Sequence, residues 1–247
     1  MEKEFVLTAN EREVEPRGIP KEIEKMVENN NLTELVFIID KSGSMEGLEQ
    51  DTIGGFNSMI ERQKKVEGKA LVTTVFFSTY SIVIHDRVPI EEVKPLTEKD
   101  YVVGGCTALF DAVGGEIAQI SDIHRYIRKE DVPSRTIFVI TTDGEENASR
   151  KYERRGVKEM IERQEKEFGW EFLFLGANID AVEFGSSFGI RKDRVANYDV
   201  KACTLGMYEE LDETLKNFRK TGSIRSDWAK NIEKPVKKSR RVENGKQ

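Results

Sequence analysis

The sequence predicts an α/β domain: a doubly wound, mostly parallel central sheet with one antiparallel edge strand and helices on both faces, Rossmann-like in its layering. Three features predict it. Dry, β-branched or aromatic runs such as LVFII (Leu35–Ile39), TIFVI (Thr136–Ile140) and FLFL (Phe172–Leu175) show no polar alternation, as expected of strands covered on both sides. Segments with helical hydrophobic spacing separate these runs. One pair of strand-like runs is joined only by Ser78-Thr-Tyr-Ser81, too short for a crossover, so those two strands are antiparallel and sit at a sheet edge.

In chain order, residues 1–33 are polar and acidic, broken by Pro16 and Pro20, with a short helix expected over Lys21–Val27; they read as an arm. Glu34–Asp40 is the first dry strand. Leu48–Val66 has helical spacing, with Leu48, Ile53, Phe56, Met59 and Ile60 on one face. Ala70–Phe77 and Ile82–Arg87 form the hairpin. A helix over Ala108–Arg128, a strand over Thr136–Thr142, an amphipathic helix over Val157–Phe168 and a strand over Trp170–Leu175 follow. Val182–Phe188 is a short helix, Arg194–Tyr198 a last edge strand and Leu205–Arg219 a closing helix, with right-handed crossovers. The folded domain is therefore placed at residues 34–220. Residues 221–247 are a basic tail (Lys234, Lys237, Lys238, Arg240, Arg241), anchored by Trp228 and otherwise solvated. Gly54-Gly55 and Gly114-Gly115, costly inside helices, are expected where helix packs closely on sheet.

The chain of 247 residues is 34% charged and 38% hydrophobic, enough to bury a core. Its net charge of −6 opposes whole-surface attraction to nucleic acid or anionic membrane. Two cysteines, Cys106 and Cys203, make no disulfide framework, the N-terminus has no apolar leader segment, and no window approaches the roughly 20 apolar residues of a membrane span. A cytoplasmic protein without membrane contact is expected. Cys106 is expected as a small buried thiol, and His85 and His124, lacking metal-type spacing, as surface or edge residues that leave no route to a histidine-based triad.

In a parallel α/β sheet, ligands bind beyond the carboxyl ends of the strands. Three oxygen-rich, glycine-rich segments belong there: Asp40-Lys-Ser-Gly-Ser44, Gly104-Gly-Cys-Thr-Ala108 and Thr141-Thr-Asp-Gly144. Each has an ordinary reading taken alone. DKSGSM is a strand-to-helix turn with a capping side chain, Thr107 is a helix N-cap, and Asp143-Gly144 is a turn pair. Taken together they bring Asp40, Ser42, Ser44, Thr107 and Asp143 toward one point, two carboxylates and three hydroxyls. That hard-ligand set suits Mg²⁺ or Mn²⁺, with Ca²⁺ as the further oxygen-seeking candidate, and disfavours zinc. Glu145, Glu146 and Asn147 beside it are either a solvated loop or a source of supporting hydrogen bonds.

The DxSxS pattern at Asp40–Ser44, the lone Thr107 and the TDG at Thr142–Gly144 resemble the metal ion-dependent adhesion site of von Willebrand factor type A domains, over roughly Glu34 to Arg219. The resemblance implies that Ser42, Ser44 and Thr107 ligate a divalent ion. It implies that Asp40 and Asp143 act directly or through water, and that one coordination position awaits a partner's carboxylate. Cys106 departs from the glycine or similarly small residue expected before the threonine.

The function that follows is a metal-dependent protein-binding module, engaging an Asp or Glu of a partner protein as subunit or adaptor of an intracellular complex. A metal-dependent phosphate-ester hydrolase is the alternative. Aspartyl-phosphate chemistry, however, calls for an acid two positions after Asp40, where this chain has Ser42, and no lysine is well placed for the phosphate. Nucleic-acid association through the basic tail is a third reading. No P-loop or dinucleotide-binding glycine motif occurs.

Overall fold

The computed structural model describes residues 31–177, 180–198 and 200–232. Most of the expected arm, including Lys21–Val27, and the basic cluster from Lys234 to Arg241 lie outside the described residues.

Six strands form one sheet in the order β3-β2-β1-β4-β5-β6. They are β1 (Leu32–Asp40), β2 (Lys69–Phe77), β3 (Ser81–Pro89), β4 (Arg135–Thr142), β5 (Glu171–Gly176) and β6 (Val195–Asn197). All neighbours run parallel except β2 and β3, the edge hairpin that the short Ser78–Ser81 connection required. Five helices cover the sheet: α1 (Glu49–Gln63), α2 (Leu109–Tyr126), α3 (Arg154–Phe168), α4 (Ala181–Ser187) and α5 (Val200–Thr221). This is the doubly wound α/β arrangement read from the sequence.

The strand β1 shows why the dry runs lack alternation. Leu35, Phe37 and Ile39 pack with Phe56, Met59 and Ile60 of α1 and with Tyr208, Leu211 and Leu215 of α5. Val36 and Ile38 pack on the opposite face with Leu109, Val113 and Ile117 of α2 and Val157 and Ile161 of α3. Both pleat faces are interior, so every position is apolar. Packing continues past the closing helix, where Ile224, Trp228 and Ile232 are buried in the first of these clusters and the Trp228 indole donates to the Asp193 carbonyl at 2.9 Å.

The edge strand is irregular. The pairing of Val72 with Val88, Thr74 with His85 and Val75 with Val83 contains two register shifts, and Arg87 adopts a φ of 48°. Its guanidinium spans to the fully buried Glu34, with Nε 2.6 Å from one carboxylate oxygen and Nη2 3.2 Å from the other. That pair, completed by His124 Nε2 at 2.7 Å, compensates a carboxylate that burial would otherwise penalise. Bulges of this kind twist an edge away from further strand pairing.

Two expectations are corrected by packing, and a third holds in part. Cys106 is exposed, because its loop lies over the top of the sheet. His85 sits on the edge strand, as expected, yet is buried there, with the Phe56 ring stacked on it and the Lys94 carbonyl bonded to its ring at 3.1 Å. At the glycine pairs, what an added side chain would meet first is an aromatic ring and not the sheet. A Cβ on Gly55 would lie 2.1 Å from the Tyr208 ring of α5, and one on Gly114 would lie 2.5 Å from the Tyr152 ring, whereas Gly54 and Gly115 face open space. One glycine of each pair admits an aromatic ring from a neighbouring segment.

Candidate metal centre

The three oxygen-rich segments meet at the carboxyl ends of β1 and β4. Asp40 is the last residue of β1 and has no solvent exposure. Its Oδ1 accepts the Ser42 backbone N–H at 2.7 Å, and its Oδ2 accepts the Thr142 hydroxyl at 2.6 Å. The chain then turns through a single 3-10 turn, Gly43–Met45, which brings Ser42 Oγ and Ser44 Oγ within 3.0 Å. Ser44 donates to Asp143 Oδ1 at 2.5 Å. A Cβ on Gly144 would sit 3.2 Å from Ser44 Oγ and 3.4 Å from Thr107 Oγ1, so both hydroxyls close on the backbone just after Asp143. Asp40, Ser42, Thr107 and Asp143 are buried, while Ser44 is exposed and forms the outer lip.

Backbone bonds hold the loops against one another. Gly43 N–H donates to the Gly105 carbonyl at 3.1 Å, and Gly104 N–H to the Lys41 carbonyl at 2.8 Å. Gly104 and Gly105 have φ of 152° and 88°, and a Cβ on Gly105 would lie 2.8 Å from Thr79 Oγ1, so this crossing calls for glycine on two grounds. On the other side Thr107 N–H donates to Asn147 Oδ1 at 2.9 Å, and Asn147 N–H returns to the Thr107 carbonyl at 3.0 Å.

All five residues singled out from the sequence are therefore gathered, and three others support them. Thr142 holds Asp40, and Asn147 holds Thr107. The Tyr101 hydroxyl donates to the Asp40 carbonyl. Thr142 stood in the Thr141–Gly144 segment without an assigned bond, Tyr101 carried no signal in the sequence, and nothing in their spacing points to those bonds. Asn147 stood in a segment with a visible polar signal but no assigned bond. Glu146 is structural as well, since its carboxylate accepts Phe110 N–H at 3.0 Å near the start of α2 and Ser149 N–H at 2.7 Å.

No family model and no curated protein matches the sequence. Solved structures do match the fold. The vWF domain of the type V pili tip protein Mfa5 from Porphyromonas gingivalis aligns at TM-score 0.54 and 9% identity, covering 78% of this chain and 98% of that one. A von Willebrand factor type A structure from Catenulispora acidiphila aligns at 0.51 and 11%, covering 75% and 43%. Proximal thread matrix protein 1 from the mussel byssus, with a zinc-occupied MIDAS motif, aligns at 0.50 and 15%, covering 74% and 46%. The fold is that of a von Willebrand factor type A domain. The chain spans less than half the length of the mussel and Catenulispora structures, and at these identities the likeness concerns the fold.

In this A-type fold the electrostatics of the gathered oxygens are one-sided. Burial pushes the Asp40 carboxyl above its ordinary range, and the nearby Asp143 charge adds to the rise, while bonds from Thr142 and Ser42 oppose it. Burial raises Asp143 too, against the Ser44 bond. Among the described residues no lysine or arginine pairs with either carboxylate. Lys41, which stands between Asp40 and Ser42 in sequence, sends its ammonium to the Val102 carbonyl at 3.2 Å. Two buried carboxylates and three hydroxyls without a basic partner fit a hard divalent cation. Among the described residues no group of three or more His, Cys, Asp or Glu side chains has metal-binding geometry. The other oxygens gathered there are the hydroxyls of Ser42, Ser44 and Thr107. Among the described residues no helix is long and apolar enough to cross a membrane.

Proposed function

We propose that this chain is a divalent-cation-dependent protein-binding module, acting as subunit or adaptor of a larger assembly. Ser42, Ser44 and Thr107 would hold the ion, with Asp40 and Asp143 acting directly or through water. The bound ion would supply an electrophilic position for an Asp or Glu of the partner. Because three of the five donors are neutral, the ion keeps more positive charge than it would inside a ring of carboxylates. The observation that carries this reading is the chain of short contacts from Ser42 through Ser44 to Asp143 beside Asp40, with no basic side chain among the described residues to neutralise it.

The oxygen donors favour Mg²⁺ or Mn²⁺, and Ca²⁺ is compatible with them. Zinc belongs among the ions tested, since the mussel byssus protein holds zinc in its MIDAS motif. The protein's own residues have clear tasks. Thr142 and the Ser42 N–H orient Asp40, Asn147 fixes the Thr107 loop, and the exposed Ser44 stands where a partner side chain arrives.

The test is capture of partners from lysate in Mg²⁺ against EDTA, with the parent and Thr107→Ala, alongside phosphatase turnover on a generic phosphate ester. A partner retained only by the parent in Mg²⁺ supports the module. Steady turnover lost in Asp40→Ala would support the hydrolase reading instead. Partner binding indifferent to both EDTA and Thr107→Ala would reject the metal-dependent module.

A further inference from the structure

Tyr101 lies outside the three oxygen-rich segments, on the irregular stretch between β3 and α2, and it is 1% exposed. Its hydroxyl donates to the carbonyl of Asp40 and lies near the side chain of Thr52, a buried residue in the first turns of α1. The ring is held edge-on against Phe76 of β2, with centroids 4.9 Å apart. One phenol therefore joins the last residue of β1, the helix that follows the serines, and the strap that leads into Gly104–Thr107.

That position matters because of what each neighbour carries. Asp40 ends the strand from which Ser42 and Ser44 hang, and Thr52 is on the helix these serines lead into. Three residues after Tyr101, the backbone bonds of Gly104 and Gly105 to Lys41 and Gly43 begin. Among the described residues, the other hydrogen bonds between the two loops are those backbone bonds and the Lys41–Val102 contact. A buried tyrosine used only for packing needs no partner on this carbonyl, because phenylalanine would fill the same volume.

We infer that Tyr101 is a positioning residue of the metal centre: its hydroxyl sets the separation between the Ser42–Ser44 loop and Thr107. The inference rests on the proposed metal-binding reading of that site. It predicts that the hydroxyl affects cation affinity beyond what it contributes to folding.

The experiment measures Mn²⁺ affinity by titration calorimetry and metal-free thermal stability for the parent, Tyr101→Phe, Thr52→Val and the core control Ile60→Val. Ile60 is a core residue in the last turn of α1. Tyr101→Phe is expected to weaken Mn²⁺ binding about tenfold, the effect of one lost hydrogen bond of ordinary net strength. Thr52→Val is expected to weaken it by a smaller factor, and Ile60→Val to lower the melting temperature while leaving affinity within twofold. If Tyr101→Phe does not fold, Thr52→Val reads the same link, and unchanged affinity there overturns the inference. A Tyr101→Phe protein that melts earlier yet binds Mn²⁺ like the parent makes the hydroxyl merely structural and also overturns it. A parent that binds no divalent ion rejects the metal reading itself, and the inference with it; the first two failures leave that reading intact.

Discussion

Thr142→Val isolates one bond of the candidate centre. Thr142 is fully buried at the end of β4, donates its proton to Asp40 Oδ2 at 2.6 Å, and accepts the Gly144 N–H at 3.2 Å. Valine keeps the volume and the β-branched shape, so the strand should survive. The lost bond to a buried carboxylate is worth about 1.5 to 3 kcal/mol, and the longer Gly144 bond adds at most about 1 kcal/mol. The methyl that replaces the hydroxyl returns roughly 0.8 kcal/mol by burial. The net cost is about 1 to 3 kcal/mol, or roughly 2 to 12 °C in melting temperature for a domain of this size. Urea and thermal unfolding followed by circular dichroism in EDTA read it directly. A loss below about 0.5 kcal/mol, the scatter of an ordinary surface substitution, would mean that Thr142 does not hold Asp40 and that the centre is organised differently.

Other outcomes follow from packing and charge. Gly55→Ala should destabilise by about 1 to 2 kcal/mol, because a Cβ 2.1 Å from the buried Tyr208 ring forces repacking that outweighs the gain in helix propensity. Gly54→Ala, which meets nothing within 4 Å, should stabilise by up to about 1 kcal/mol; equal effects at the two positions would contradict the contact. Glu116 is 5% exposed, and burial, with Asp86 adding to it, raises its carboxyl from 4.5 to about 7. The fold binds this proton more tightly than the unfolded chain does. The resulting stability is therefore fully present below about pH 4.5 and is lost as pH rises through about 7, by an amount on the order of 3 kcal/mol. Glu116→Gln should flatten that pH dependence in urea midpoints taken at pH 5 and pH 8, and an unchanged slope would assign it to other groups.

Much of the fold was legible in the sequence because its central strands are covered on both faces. Residues such as Leu35–Ile39 had to be apolar throughout, and a run of that kind ending in Asp-Lys-Ser-Gly-Ser has no packing reason to change character so abruptly. The hairpin was legible because four residues cannot cross a sheet. The five candidate donors were legible because small oxygen-bearing side chains in three glycine-rich segments meet at the carboxyl ends of β1 and β4. What escaped the sequence depends on partners distant along the chain. The bond from Tyr101 to Asp40 spans sixty-one residues and that from Thr142 spans one hundred and two. A buried tyrosine and a strand threonine look the same with or without them. The exposure of Cys106 was misread because loop position, rather than residue type, decides it. The helix glycines were assigned to the wrong neighbour because spacing along α1 and α2 does not show which aromatic ring will cross them. The double bulge of β3, with Arg87 reaching Glu34, has no local signature in IVIHDRVP.

The central claim is that these loops form one cation site. Crystals grown with Mn²⁺ and measured for anomalous scattering test it most directly. The account predicts a single strong peak within coordination distance of the Ser42 and Ser44 hydroxyls, lost in the Asp40→Ala, Ser42→Ala double variant while the sheet is unchanged. Strong scattering elsewhere on the molecule with none at these serines, under conditions where Mn²⁺ binds in solution, would contradict it.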